Sequence, residues 1–591
     1  MRYVDELTDA VRSQLALAYG IKDQLGSALR ARLREGYTLA DLRADAGAGL
    51  AVALLTLPLA MALARTTGVA PQHGLYTAII AGIVVSLLGG SRTQITGPTA
   101  AFVVILEPIA ARHGLGGLLV AGAMAGIILV LMGVARLGRL MQFIPHPVTT
   151  GFTTGIAVVL VVLVTRDALG LELGGHPGGT VEVVGAAWDA RAGASGWDAL
   201  VFAITLALLV LLPRLHRRIP GPLVALAAVA ALVALADQLI GGFAARTIGS
   251  TFTTVIDGEV VRGIPPLPPL PEWPWRLGDA TGSAFAIDYA LVRELMPAAF
   301  AIAMLGAIEA LMSAVIADGM AGTKHDPNAE LIALGIGNIV CPFFGGIACT
   351  GALARTGTSI RAGARSPLAA VIQALVVLAA TIALAPLMAY LPLAGLAALV
   401  LVFAVNMGGV RHFARLMRIA PRSDVLVLVT CFALTVLVDM AVAVSVGVML
   451  AALLFMRRMA ALTKITLDTR VAEQLAMPPG IRLYEIAGPM FFGAANRAME
   501  TLDAVGADAR VVILSMKGVD VMDATGLIAL ESTLDRLGRS GRMVILAGLA
   551  PDPAALLERA GIKRVPDRLA MAPDLETAVS MAIVHAARAT P

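Results

Sequence analysis

Ile95-Thr96-Gly97-Pro98-Thr99 and Thr350-Gly351-Ala352 interrupt a chain otherwise filled with segments apolar enough to span a membrane. Each stretch follows a glycine pair, Gly89-Gly90 in one case and Gly345-Gly346 in the other, and opens a helical run too short to cross a bilayer alone. Interrupted helices at corresponding places in two halves of a membrane protein point to a binding site at the bilayer midplane, between inverted repeats. The two stretches read as the halves of one site.

The chemistry of such a site follows from helix physics. A helix that starts inside a bilayer leaves its first N–H groups unpaired and presents about +0.5 elementary charge. Two such starts facing each other form a trap for an anion. Thr96 and Thr350 suit the cap positions, Gly97 and Gly351 allow close approach of backbone and ligand, and Pro98 suits the first turn, where its missing N–H costs nothing. A lone Thr-Gly-Pro starts many ordinary helices; the matching Thr-Gly in the other half selects a site built from Thr96, Gly97, Pro98, Thr99, Thr350, Gly351 and Ala352.

Arg355 stands one turn beyond Gly351 in apolar surroundings, where a charge costs about 2.5 to 3.5 kcal/mol on insertion scales. That cost implies a partner, either the anion itself or another side chain, unless the arginine snorkels to the interface. Glu309 is an acid near the middle of the eighth span, with Ser313 four positions on and on the same helical face. Two readings stay open for this pair: Glu309 exchanges a proton, or its carboxylate and the Ser313 hydroxyl join carbonyls near Gly351 in an oxygen site for a cation. Two helix ends and Arg355 supply about +2 formal units, which fits a dianion best when Glu309 is protonated. Glu107 beside Pro108, Asp318 and the run Lys324 to Glu330 read as solvated charge, and His73 and His146 as packing at span ends.

The rest of the composition agrees. Over 591 residues, 58% are hydrophobic and 15% charged, and the mean hydropathy is +0.83, far outside the soluble globular range. The net charge of +4 would suit a nucleic-acid binder only if the basic residues clustered on a folded surface; they fall between apolar segments instead, so no nucleic-acid partner is expected. Spans are expected near residues 45–64, 74–89, 98–111, 115–134, 146–165, 198–212 and 221–239, and near 294–316, 329–345, 351–361, 367–390, 393–407, 423–438 and 440–457.

Even-numbered connections carry Arg92, Arg136, Arg139, Arg214, Arg217, Arg218, Lys324, Arg361, Arg365, Arg411, Arg415, Arg418 and Arg422, whereas the short odd ones carry little beyond Arg65 and Arg112. By the positive-inside rule both termini are expected in the cytoplasm, with the chain in the cell inner membrane. Residues 1–40 are charged and amphipathic, so no cleavable signal peptide is expected ahead of the first span. Cys341, Cys349 and Cys431 have the spacing of neither a zinc site nor a disulfide framework. Pro265 to Pro271, followed by Trp273 and Trp275, reads as a stiff extended loop outside the membrane.

After Arg457-Arg458 the composition changes. Strand-like runs at Ile481 to Ile486, Val511 to Leu514 and Met543 to Leu546 alternate with helical runs at Asn496 to Leu502, Gly526 to Leu537 and Ala554 to Ala560. That spacing predicts a small soluble α/β domain. The expected organisation is a cytoplasmic segment 1–43, a membrane domain 44–458, a linker 459–479 and a cytoplasmic domain 480–591.

Pro71-Gln72-His73-Gly74-Leu75-Tyr76, Ile95 to Ala100, Gly306-Ala307-Ile308-Glu309 and Gly346 to Arg355 resemble the signatures of the SulP family of anion transporters, solute carrier family 26. The C-terminal part looks like the STAS domain of that family. The resemblance covers nearly the whole chain. It implies an all-α polytopic membrane fold of about fourteen spans in a seven-plus-seven inverted repeat. Spans 1 to 4 and 8 to 11 would form a core domain that moves against a gate of spans 5 to 7 and 12 to 14, and a small α/β STAS domain would follow.

The resemblance also implies a small anionic substrate, transport rather than enzyme chemistry, and a homodimer in the lipid bilayer. Within the family, Leu57 to Ala64 and Asp318 to His325 look most similar to the bacterial C4-dicarboxylate transporters of the DauA type, with cyanobacterial bicarbonate transporters next. The expectation is therefore proton-coupled uptake of C4-dicarboxylates (succinate, fumarate, aspartate), the alternative being sodium-coupled bicarbonate or sulfate transport. No cofactor is expected beyond the coupling ion. Other bacterial members place a carboxylate beside the proline of span 1, where this chain has Leu59, so coupling would rest on Glu309. In the STAS-like part, Val521 to Gly526 matches a loop that related anti-sigma antagonists phosphorylate at serine; Ala524 stands at that place. The expected role is docking of a cytoplasmic protein partner, and the phosphate-cradling glycine pattern of nucleotide sites is missing.

Overall fold

Thr38 caps the first apolar run and makes it a helix: its Oγ1 accepts from the Asp41 N–H at 3.3 Å, and its own N–H donates to the Asp41 carboxylate at 2.9 Å. The structure is a computed structural model, described over residues 24–139, 145–173, 179–215, 220–256, 259–278, 287–438, 440–460, 464–475, 477–491, 499 and 509–588. Two units separate, Met1–Val448 and Met449–Pro591.

In the first unit, α1 (Ser27–Arg34) precedes α2 (Leu39–Thr66), α3 (Pro71–Leu88), α4 (Ala100–Val134), α5 (His146–Ala168), α6 (Thr180–Asp189), α7 (Gly196–Leu215) and α8 (Gly221–Leu239). A second series follows: α9 (Tyr289–Ala321), α10 (Pro327–Val340), α11 (Leu353–Arg361), α12 (Leu368–Met388), α13 (Leu393–Gly408), α14 (Val410–Ile419), α15 (Arg422–Leu437) and α16 (Met440–Ala460), which runs past the unit boundary; four short strands, β1 (Thr96–Gly97), β2 (Thr253–Ile256), β3 (Glu259–Arg262) and β4 (Thr350–Gly351), lie among the helices. Eleven helices among the described residues are long and apolar enough to cross a membrane. Gly114, at φ 64° and ψ −167°, bends α4 into two helices. Counting these separately and adding the shorter α11 and α15 gives the fourteen segments expected.

Two features that the sequence reading treated as ordinary hold the halves together. Pro327 follows Pro71 by 256 positions, and Gly345 follows Gly89 by the same 256. Near the start of α3, His73 donates from Nδ1 to the Gly345 carbonyl at 2.7 Å. Near the start of α10, the Glu330 carboxylate accepts from the N–H groups of Gly90 at 2.9 Å and Ser91 at 3.0 Å. Each half thus grips the glycine-pair loop of the other. Glu330 is 2% exposed, so it corrects the expectation of a solvated connection: a buried carboxylate is stable because it accepts two backbone bonds.

The helices sort into two packed groups. The first joins α2, α3, α4 and α9 to α12; the second joins α5, α7, α8, α13 and α15. Close approach inside the first relies on glycine: a Cβ at Gly126 would lie 2.6 Å from the Gly335 carbonyl oxygen, and one at Gly335 the same distance from that of Gly126. Between the groups, Arg65 at the end of α2 makes a two-pronged bond to Asp167 at the end of α5, at 2.9 and 2.7 Å.

Asp45 anchors the other end of α2. Fully buried, it accepts from the N–H groups of Arg365 at 2.6 Å and Ser366 at 3.2 Å, the Ser366 hydroxyl at 2.5 Å and the Tyr37 hydroxyl at 2.9 Å. Burial, with the Asp45 carboxylate beside it, pushes the Tyr37 phenol up to about 12. Asp45→Ala leaves those donors unpaired and is expected to cost about 3 kcal/mol, read as a lower melting temperature of the detergent-solubilised protein than that of Asp45→Asn.

In the second unit a five-stranded sheet runs in the order β5 (Lys464–Leu467), β6 (Ile481–Ala487), β7 (Val511–Gly518), β8 (Met543–Ala547), β9 (Leu569–Ala572). β5 is antiparallel to β6 and the other pairs are parallel. Alternate β7 residues feed two cores, Val512, Leu514 and Met516 one, Val511 and Ile513 the other, as a sheet covered on both faces requires. Helices α17 (Thr469–Gln474), α18 (Ala524–Arg539), α19 (Pro551–Arg559) and α20 (Leu575–Arg588) complete the unit. The stretch 459–479, read as a linker, thus contains the edge strand β5 and α17; the expected helix at Asn496 to Leu502 lies outside the described residues apart from Met499.

Candidate functional site

Backbone pairing, rather than side-chain capping, builds the break. Two short strands, β1 (Thr96–Gly97) and β4 (Thr350–Gly351), pair antiparallel across the halves, Thr96 opposite Gly351 and Gly97 opposite Thr350. The Ala352 N–H extends the pairing by donating to the Ile95 carbonyl at 2.8 Å. Thr96 and Thr350 are therefore strand residues and not caps, which corrects the sequence reading. The N-cap residues are Thr99 for α4 and Ala352 for α11, and Pro98 lies before the cap rather than in the first turn. The Thr350 hydroxyl donates to the Gly306 carbonyl at 2.8 Å. Asn338 braces the same strand, its Nδ2 donating to the Cys349 carbonyl at 2.9 Å and its Oδ1 accepting from the Cys349 N–H at 2.9 Å.

Neither cap residue bonds to its own helix through a side chain. The first-turn N–H groups of both helices are thus left for another partner, and both first turns face one cavity. It measures about 290 Å³ and is lined by Pro98, Thr99, Ala100 and Ala101 from the first half and by Gly351 to Arg355 from the second. Leu59, Leu63, Glu309 and Met312 close one side, and Thr153, Phe403, Asn406 and Met407 of α5 and α13 the other. The cavity therefore lies between the two helix groups. Leu353 is 41% exposed, so the space is open rather than sealed.

Two ionisable side chains, one basic and one acidic, enter it. Arg355, 3% exposed, donates from Nη2 to the Pro98 carbonyl at 2.6 Å, linking the cation of one half to the broken backbone of the other. Gly97 makes room for it: a Cβ there would stand 2.8 Å from Nη1 of Arg355. Glu309 accepts from the Thr99 hydroxyl at 3.0 Å. The cap residue that leaves its own helix open thus holds the acid.

Of the residues expected at the site, Pro98, Thr99, Gly351, Ala352, Arg355 and Glu309 line the cavity, while Thr96, Gly97 and Thr350 form the strand pair behind it. Ser313 is elsewhere: fully buried, its hydroxyl donates to Thr356 Oγ1 at 3.4 Å, and Thr356 in turn accepts from the Ile95 N–H at 3.0 Å. Sequence reasoning missed the wall formed by Thr153, Phe403, Asn406 and Met407. A lone amide in an apolar span is a signal, and Asn406 carried it; Phe403 and Met407 carried none.

The profile of the sulfate permease family matches residues 42–431, and that of the STAS domain residues 474–578. Among curated relatives, the putative sulfate transporter YvdB of Bacillus subtilis is 37% identical over 89% of this chain and 95% of its own. The bicarbonate transporter BicA of a Picosynechococcus species is 28% identical over 89% of this chain and 92% of its own. The murine solute carrier 26 family member A9 anion transporter, solved in the inward-facing state, superposes with a TM-score of 0.81 at 18% identity, covering 96% of this chain and 95% of that one. The transmembrane domain of a cyanobacterial BicA gives 0.57 at 26% identity, over 70% of this chain and 98% of that one.

Proposed function

The chain belongs to the sulfate permease family, the SulP or solute carrier 26 anion transporters, and on that premise we propose that it takes up C4-dicarboxylates together with protons, the dianions succinate and fumarate and also aspartate, whose two carboxylates are joined by an ammonium group. The observation that carries the proposal is Glu309, bonded to Thr99 in the cavity that Arg355 and both open helix starts line. With the carboxyl protonated, helix ends and Arg355 offer about +2 units to the cargo. Ionised, Glu309 cancels part of that field and weakens the dianion. Proton and cargo then travel together because each improves the site for the other. The dicarboxylate preference rests on the two motifs at Leu57 to Ala64 and Asp318 to His325.

A second reading, sodium-coupled bicarbonate or sulfate transport, is favoured by the anions in the names of the relatives. It needs oxygen ligands beside Glu309. The Ser313 hydroxyl, expected to be one, does not line the cavity that Glu309 borders. Proteoliposome uptake of labelled succinate, sulfate and bicarbonate, with and without sodium at acidic and neutral pH, separates the two. Acid-stimulated, sodium-independent succinate uptake is the expected result; uptake confined to sodium-driven bicarbonate or sulfate would overturn it. The arginine-rich even connections support cytoplasmic termini in an inner membrane, and the family likeness supports a homodimer with the STAS domain as a docking module.

A further inference from the structure

The connection between α13 and α15 carries a surface outside the candidate cavity. Gly409, at φ 51° and ψ 39°, ends α13 and turns the chain into α14, Val-Arg-His-Phe-Ala-Arg-Leu-Met-Arg-Ile. Arg411, Arg415 and Arg418 recur at helical spacing, within about 60° of one another around the axis. They border one shallow depression together with Ala414 and Ile419. All three are exposed, and no ion pair to them is found among the described residues. The nearest acid in sequence, Asp424, accepts from Ser423.

The opposite face has a different character. Phe413 packs on Phe432 of α15 with ring centroids 5.3 Å apart, and His412 meets His146 of α5 at the same 5.3 Å. Beside this contact Val410 is 65% and Met417 41% exposed, so an apolar edge is left without a protein cover. A short helix joining two membrane spans lies at the membrane surface. With an apolar edge and one row of arginines it has the pattern of a helix lying in the interface, aliphatic groups among acyl chains and cations among phosphates.

We propose that α14 is a binding site for anionic phospholipid headgroups, with Arg411, Arg415 and Arg418 holding the phosphate and Val410 and Met417 lying along the acyl chains. Its place in the chain ties the lipid to the transport cavity. Phe403, Asn406 and Met407 of α13 line the cavity, and the last carbonyl of α13, that of Gly408, accepts from the Thr154 hydroxyl at 2.8 Å. A lipid that fixes α14 therefore fixes the end of the helix forming the cavity wall.

The test uses the full chain in detergent, titrated with dioctanoyl phosphatidylglycerol, with dioctanoyl phosphatidylcholine and with inorganic phosphate, adducts being counted by native mass spectrometry. The parent is expected to hold phosphatidylglycerol in preference to phosphatidylcholine. Arg411→Gln, Arg415→Gln and Arg418→Gln combined should weaken that binding roughly 100-fold, while the triple lysine variant keeps most of it. Unchanged melting temperature in the glutamine variant shows that its fold is intact. Parent-level phosphatidylglycerol adducts in that variant, equal binding of phosphatidylcholine, or displacement of the lipid by inorganic phosphate at equal concentration would each overturn the proposal.

Discussion

Arg355→Gln is expected to abolish anion uptake while leaving the protein folded. Glutamine keeps an uncharged polar end of smaller reach, its amide nitrogen two bonds short of the Nη2 that holds the Pro98 carbonyl at 2.6 Å, so the charge and that single bond are lost while the β1–β4 pairing still ties the broken backbone. A unit charge about 4 Å from an anion is worth about 4 kcal/mol at an effective dielectric near 20, roughly a thousandfold in affinity. Arg355→Lys restores the charge without the planar fork and should recover part of the uptake. The measurement is binding and uptake of labelled succinate and sulfate in proteoliposomes, beside melting temperatures that report folding. Parent-like affinity in the glutamine variant would make Arg355 a strut between the halves and nothing more.

The neighbouring glycine gives the same mechanism a steric form. Because a Cβ at Gly97 would stand 2.8 Å from Nη1 of Arg355, an alanine there pushes the guanidinium off its bond instead of removing its charge. Gly97 does not line the cavity, so its importance comes through the arginine. A glycine that the sequence suggested for close approach of a ligand thus serves close approach of a side chain from the other half.

Such differences show where sequence reasoning works and where it stops. The interrupted helices were legible because Thr-Gly is polar punctuation inside apolar runs, and because the same punctuation recurs in the second half. The cap positions were not. Propensity places threonine at an N-cap, yet Thr96 and Thr350 pair as strands with partners 255 and 253 positions away, a long-range choice that local preference cannot register. Once those strands form, the helices begin at Ala100 and Leu353. Ser313 lies off the cavity for a related reason: helical spacing gives the face of α9 but not the neighbour, and the Ser313 hydroxyl donates to Thr356 of α11. His73 read as packing at a span end and Glu330 as solvated charge because their partners, the loops at Gly345 and Gly90, belong to the other half. In the C-terminal unit the apolar strands β6 to β8 announced themselves; β5, four residues in a charged stretch, becomes a strand only through antiparallel pairing with β6.

Glu309→Gln is expected to uncouple uptake from pH. In the parent, the carboxyl shares the cavity with Arg355 and is held by Thr99, so its ionisation places a negative charge beside the incoming dianion. Uptake should therefore fall as pH rises through its titration, by at most about tenfold per pH unit for a single group. Glutamine is neutral at every pH and still accepts from the Thr99 hydroxyl, so the variant should keep a site for the anion but show a flat profile between acidic and neutral pH. Its exchange of unlabelled for labelled anion should persist, because exchange returns the carrier loaded and needs no net proton movement. Its accumulation against a gradient should disappear, because nothing links the downhill movement of protons to the cargo. Counterflow and pH-driven accumulation measured on the same vesicles separate these outcomes from simple loss of binding, in which both would vanish. A variant that kept the parent pH profile would place the coupling group elsewhere, and Glu107, which borders a different cavity beside Arg112 and His113, would be the next carboxyl to replace.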